Sequence, residues 1–274
     1  LRDCAALSIL NLIVMKALRI HRWNVTPREA RDIQLRIRDR IELRDRVGRI
    51  QYVAGADLAF RLPHARSWET GAGSAIAGVV VFRYPSLEEV ERVWIEQPLT
   101  FPYVPGLLSF REIPALIAAF SRLRTTPDLI FVDGHGFAHP RRLGIASHLG
   151  IVLDTPTIGC AKSVLVGSYE EPARTAGSWT PLLAPALASG KTVEKSSIAK
   201  TNASSKLERI GAALRTRDSV NPIFVSQGHR ISLARAIKLT LAVCDGFRIP
   251  LPTRAADHFV GAVKRGEFAE FGNG

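Results

Sequence analysis

Three carboxylates stand where an α/β protein places its reactive groups. Asp57 closes the run Val-Ala-Gly-Ala-Asp near the end of a strand, Glu112 falls in the first turn of a helix, and Asp133 follows the apolar tetrad Leu129–Val132. In open α/β sheets, ligands meet the protein at the carboxyl ends of strands. A carboxylate there is costly to bury unless it is paired or bound to a cation. Carboxylates converging from separate elements suit a hard ion such as Mg²⁺. A plainer reading stands beside it: Ser109 and Glu112 have capping-box spacing, and Asp57 and Asp133 fit turns.

Histidines raise the question of zinc. His135 and His139 have the i, i+4 spacing of HExxH, but no Glu follows His135 and the flanking glycines argue against a helix. His148 and His229 add no ligand spacing, so a zinc hydrolase is disfavoured. Lys162 ends an apolar strand, either facing an anion or simply solvated. The turn Pro102-Tyr103-Val104-Pro105-Gly106 is stiff and carries an aromatic ring, suited to pushing between stacked bases or to ordinary loop packing. Arg111, Arg141 and Arg142 are candidate phosphate contacts. Gly71, Gly73 and Gly78 miss the GxGxxG spacing, which excludes a dinucleotide site.

The elements that must position these groups alternate along the chain. A capping-box pair, Thr26 and Glu29, starts a helix expected to run from Pro27 to Val47, with Ala30, Ile33, Ile37 and Ile41 on one face. Strands are expected over Tyr52–Phe60, Ala75–Phe82 and Val90–Ile95, and a helix follows Ser109. The tetrad Leu129–Val132 reads as a central strand buried on both faces. A helix over Leu143–Leu153 and a strand over Thr157–Ala161 repeat the alternation. Strands at Ile210–Thr216 and Pro222–Ser226 then precede a helix from Ser232 to Cys244. Hairpin strands first and strand–helix alternation afterwards predict a single α/β domain, a mixed sheet flanked by helices.

Among 274 residues, Lys and Arg outnumber Asp and Glu by 37 to 25, a net charge of +12 that draws polyanions, nucleic acid foremost. Three cysteines, Cys4, Cys160 and Cys244, lack CxxC spacing and suit a reducing compartment, the cytoplasm. The apolar stretch Ala5–Met15 is too short and too interrupted to span a bilayer, and no membrane partner is expected. Met15 is the sole methionine. Translation is expected to begin there, with 1–14 an upstream or non-native extension and 15–265 the catalytic domain. Residues 184–206, rich in Ser, Ala, Lys and Thr, read as a flexible basic insertion, and 266–274 as a disordered tail.

These pieces together resemble the endonuclease V family. The matching blocks are Val-Ala-Gly-Ala-Asp57, Pro102 through Glu112, Phe131-Val-Asp-Gly-His-Gly through His139-Pro-Arg-Arg-Leu-Gly144, and Pro156 through Lys162. Gly228-His229-Arg230 and Pro252-Thr-Arg254 follow in family order. The resemblance implies a ribonuclease H-like fold and a Mg²⁺-dependent nuclease, with Mn²⁺ able to substitute. It implies that Asp57, Glu112 and Asp133 bind metal and that His139, Lys162 and His229 serve the active site. Pro102–Pro105, with Tyr103 at the tip, would form a DNA wedge. Gly106, Leu108, Gly134, Gly144, Ile145 and Leu165 would form the pocket for a flipped base. The implied substrate is deoxyinosine in DNA, cut at the second phosphodiester 3′ to the lesion to leave 3′-hydroxyl and 5′-phosphate ends. Inosine-containing RNA is the alternative substrate and a non-catalytic inosine-binding module the more distant rival, disfavoured because all three carboxylates are present; the enzyme is expected to be a monomer.

Overall fold

The computed structural model describes residues 15–64, 71–187 and 206–268. Helix α1 (Pro27–Ile37) opens on the Thr26–Glu29 capping box. It then gives way to a single 3₁₀ turn, Arg38–Arg40, rather than continuing to Val47. The Ile41 periodicity is overridden by tertiary pairing. The main chain of Glu42 donates to His229 Nδ1 and accepts from Arg230 N, and Arg46 N donates to Arg230 O. The segment is thereby tied to the residues that end β8.

Strands β1 (Tyr52–Arg61), β2 (Ser74–Arg83) and β3 (Glu89–Pro98) form an antiparallel meander. Helix α2 (Leu108–Phe120) leads to β4 (Leu129–Val132), and α3 (Ile145–Leu153) to β5 (Thr157–Ala161). Strands β6 (Trp179–Pro185), β7 (Leu207–Leu214) and β8 (Ile223–His229) precede α4 (Leu233–Ala242) and α5 (Leu251–Lys264). The eight strands form one mixed sheet in the order β3-β2-β1-β4-β5-β8-β7-β6, with β4 parallel to both β1 and β5.

Alternation sorts the core. Val53, Leu129 and Phe131 face α4 and α5, while Ala54, Ile130 and Val132 face α2 and α3. Both faces of β4 are covered, which is why it carries no polar residue. A third cluster joins Ala30, Ile33 and Ile37 of α1 to Phe101 and Phe110. Each such ring taken from water contributes about 1.5–3 kcal/mol, enough to pin α1 over the start of α2.

Helix α5 approaches β1 so closely that position 55 must be glycine: a Cβ there would lie 1.8 Å from Pro252 O. That approach carries the acidic residue of the next helical turn, Asp257, toward Asp57.

Several expectations are corrected. Strand β6 and helix α5 were not foreseen, and β7 begins earlier than Ile210 because it pairs with β6 from Leu207 onward. Ala184 and Pro185 of the expected insertion are strand residues, and Ala186 N bonds Lys206 O across its base; residues 188–205 lie outside the described residues. The start of the expected tail is anchored, since Phe268 stacks edge-on against Phe259. Residues 1–14, the expected extension, also lie outside the described residues.

Candidate active site

The two central parallel strands bring the acidic residues together. Ala56 is level with Val132 in the β1–β4 register, so Asp57, which lies in the middle of β1 rather than near its end as expected, is the neighbour of Asp133 at the carboxyl end of β4. Glu112, one turn into α2, is 9% exposed, and Ser109 is not its capping partner. The Ser109 hydroxyl instead bonds His148 Nδ1 at 3.0 Å, and the helix starts at Leu108 with no side-chain cap.

The electrostatics show what this gathering costs. Burial pushes the Asp57 carboxyl up to about 7, with further upward pressure from Asp133 and Asp257 and partial relief from Lys162. Burial likewise lifts Glu112 to about 8, helped by Asp57 and Asp133 and opposed by Arg111. Desolvation and like charge both disfavour the ionised form. The direct countercharge is Lys162, whose Nζ lies 2.5 Å from Asp133 Oδ2 while half its side chain remains exposed. Among the described residues, no three acidic, histidine or cysteine groups already enclose an ion-sized point. The donor set itself, several oxygen ligands sharing too little positive charge, fits a hard divalent cation.

Asp257 is the member that reading the residues missed. It is exposed on α5, and its charge acts on both Asp57 and Lys162. A lone acid some 200 positions from Asp57 has no local signature.

Beside the carboxylates opens a cavity of about 160 Å³. All six expected pocket residues, Gly106, Leu108, Gly134, Gly144, Ile145 and Leu165, line it, together with Tyr103, Val104 and Pro105. Pro102, the first residue of the expected wedge, is not among the lining residues. Gln34, Ser109, His135 and Leu143 complete the lining without having been anticipated. Tyr103 and Leu165, each 45% exposed, form its rim. His135 Nε2 bonds Ser163 O at 3.0 Å, a second tie between the loops after β4 and β5.

The expected histidines fare differently. His139 lines the cavity, but its Nε2 is bonded to Gly106 O at 3.1 Å and its Nδ1 accepts from Arg141 N at 3.2 Å. Burial, then the Arg141 charge, lower its pKa to about 3, which keeps the ring neutral. His229 is displaced from the site altogether. It pairs with Thr157, at the start of β5, whereas Lys162 follows the end of β5. At ~3.3 Å per residue the two ends are about 16 Å apart. The His229 ring serves instead as acceptor for Glu42 N.

The three arginines expected at phosphates are also committed elsewhere. Arg142 bonds Glu208 at 2.8 Å, Pro185 O at 2.7 Å and His139 O at 3.1 Å, tying the cavity loop to β6 and β7. Arg111 is buried, donating to Phe101 O with its guanidinium 4.9 Å from the centre of the Phe60 ring. Arg141 points inward to Gln34 and Gly106 O.

A mixed sheet in this order, with acidic residues at its central parallel strands, defines a ribonuclease H-like nuclease architecture. The chain belongs to the endonuclease V family, whose model matches residues 35–258. Endonuclease V of Roseiflexus sp. (strain RS-1) is 45% identical over 235 residues, covering 86% of this chain and 92% of that protein. Endonuclease V of Nostoc punctiforme is 45% identical over 249 residues, covering 90% and 100%. Among solved structures, Streptomyces avermitilis endonuclease V superposes with a TM-score of 0.74 at 36% identity, covering 93% of this chain and all of that one. Ciona intestinalis endonuclease V, solved with DNA containing an inosine followed by a ribo-adenosine, gives 0.67 at 25% identity, covering 88% and 98%. No helix among the described residues is long and apolar enough to cross a membrane.

Proposed function

We propose that this chain hydrolyses the second phosphodiester bond 3′ to deoxyinosine in DNA, leaving 3′-hydroxyl and 5′-phosphate ends. The observation that carries this reading is the junction of cavity and carboxylates. Gly134 and His135 line the cavity, and Asp133, the preceding residue, belongs to the acidic cluster. A base lodged in the cavity would keep its own strand beside the reacting groups. The inosine-containing DNA bound to the Ciona relative supports the same substrate.

Asp57, Glu112 and Asp133 would hold Mg²⁺, or Mn²⁺ in its place, with Asp257 adding negative charge alongside. Such an ion, when bound, lowers the repulsion between a phosphodiester and its attacking water and offsets charge on the leaving oxygen. The half-exposed Lys162 ammonium supplies positive charge where the transition state becomes more negative. Tyr103 enters the gap left by an extruded base. Hypoxanthine pairs weakly and lacks the guanine 2-amino group, so it is the cheaper base to extrude, and close cavity walls exclude guanine. The protein acts as a monomer in the cytoplasm, a compartment that suits its buried free thiols Cys160 and Cys244.

Inosine-containing RNA is a second reading, favoured by the ribo-adenosine that follows the inosine in the Ciona complex. Parallel incubation of a deoxyinosine duplex, its guanine control and an inosine RNA strand decides between them. Cutting of the deoxyinosine strand ahead of the RNA supports the DNA reading. Preferential RNA cutting moves the substrate, and binding without cutting under either metal removes the nuclease assignment.

A further inference from the structure

The Gly106 carbonyl oxygen collects donors from two separate parts of the chain. Gln34 Nε2 on α1 reaches it at 3.1 Å, His139 Nε2 at 3.1 Å and Arg141 Nη2 at 2.6 Å. A carbonyl oxygen offers two lone pairs, so three donors saturate it. The Gln34 amide is equally committed. Its Nε2 also donates to Leu143 O at 3.3 Å, and its Oε1 accepts from Arg141 Nε. The residue is 1% exposed. Such a buried polar network adds little net stability over apolar residues of the same shape, so its value lies in the geometry it imposes.

That geometry joins the two sides of the cavity. Gly106 ends the turn that presents Tyr103, and its φ of +76° is a left-handed conformation that favours glycine. A Cβ there would also come within 2.8 Å of Arg141 Nη2. Leu143 also lines the cavity, in the segment that carries His139 and Arg141, and Gln34 of α1 bonds both this segment and Gly106.

We propose that Gln34, acting with His139 and Arg141, is a positioning clamp that fixes the Tyr103 turn against the base cavity before substrate arrives. This rests on the proposed function, because it takes the cavity as the site of the extruded base. The clamp gives His139 a positioning job: it donates at Nε2, accepts at Nδ1 and orients the turn. A preformed site avoids the ordering cost of binding. Loss of the clamp therefore appears in the enzyme concentration needed for half-saturation more than in the maximal rate.

Single-turnover cleavage of a deoxyinosine duplex at increasing enzyme concentration tests this. Gln34→Met keeps side-chain length and helix propensity while removing every hydrogen bond. Half-saturation is expected to rise about tenfold, equivalent to ~1.4 kcal/mol, with the maximal rate within about threefold of wild type. Binding to an undamaged duplex and the shape of the pH–rate profile stay as in wild type. His139→Gln, whose amide can still donate to Gly106 O, recovers most of the affinity that His139→Ala loses. Unchanged half-saturation in Gln34→Met, or a fall in maximal rate with an altered pH profile, overturns the clamp. Failure of the wild-type protein to cut would instead remove the function on which it rests.

Discussion

Replacing Asp57 by Asn should make the metal-free protein more stable, and more so at high pH. Burial and its acidic neighbours raise the Asp57 carboxyl from 3.8 to about 7 in the folded state. Between those values the native state holds the proton more tightly than the unfolded chain. The contribution of this carboxyl to stability is therefore greatest below pH 4 and is lost as pH rises toward 7, where its full penalty is reached. A shift of ~3 units corresponds to an upper limit of about 4 kcal/mol, and relaxation around the site reduces this to roughly 2–4 kcal/mol. Asn has nearly the same shape and no charge, so it avoids the penalty. In EDTA at pH 8.5, the Asp57→Asn variant should melt roughly 5–15 °C above wild type, from ~2–4 °C per kcal/mol for a domain of this size. At pH 4.5 the gap should shrink to about a quarter, because the wild-type carboxyl is then largely protonated when folded and close to its unfolded pKa. Thermal unfolding in EDTA across this range reads both values directly. Excess Mg²⁺ should close the gap by stabilising only the wild-type carboxylates. If Asp57→Asn is less stable than wild type at pH 8.5, or gains stability by an amount that ignores pH, the site is not strained by unbalanced carboxylates.

Three further outcomes follow from named contacts. Lys162→Met should slow single-turnover cleavage about 100-fold while leaving inosine binding near wild type, as measured by rapid quench and filter binding. His229→Leu should lower stability by ~1–2 kcal/mol in urea titration, through the lost acceptor for Glu42 N, with no change in maximal cleavage rate. Gly55→Ala should cost about 3 kcal/mol or more, because its Cβ collides with Pro252 O and α5 must move; loss of soluble folded protein in denaturation assays would show it.

The parts of the fold legible beforehand are those whose burial leaves a local mark. Leu129–Val132 and Thr157–Ala161 are short and flanked by turn residues; covered on both faces, they match their strands end to end. Illegible features depend on partners distant in sequence. Ile41 continues the α1 period, yet the helix stops at Ile37, and Glu42 and Arg46 beyond it pair with Arg230. β6 contains Pro181, tolerable because it is the edge strand, a position known only from the sheet order. Within the site, Asp57 and Asp133 were readable because both follow apolar strand residues. Asp257 was not, since the Gly55–Pro252 approach that brings it over has no signal beyond one glycine. His229 was misplaced for a related reason: a motif names a residue, but the antiparallel run of β8 decides which end of the sheet receives it.

If the carboxylate cluster cuts nucleic acid beside a base held in the neighbouring cavity, the cut must fall at a fixed distance from that base. Mapping the products from a 5′-labelled duplex with one deoxyinosine reads this distance, using wild type and Asp133→Ala, in Mg²⁺ and in EDTA. A single cut is expected at the second phosphodiester 3′ to the lesion, with a 3′-hydroxyl end, absent in EDTA and in Asp133→Ala. Cutting that persists in EDTA or in Asp133→Ala, or that falls equally on the guanine control, would contradict the proposed site and its chemistry.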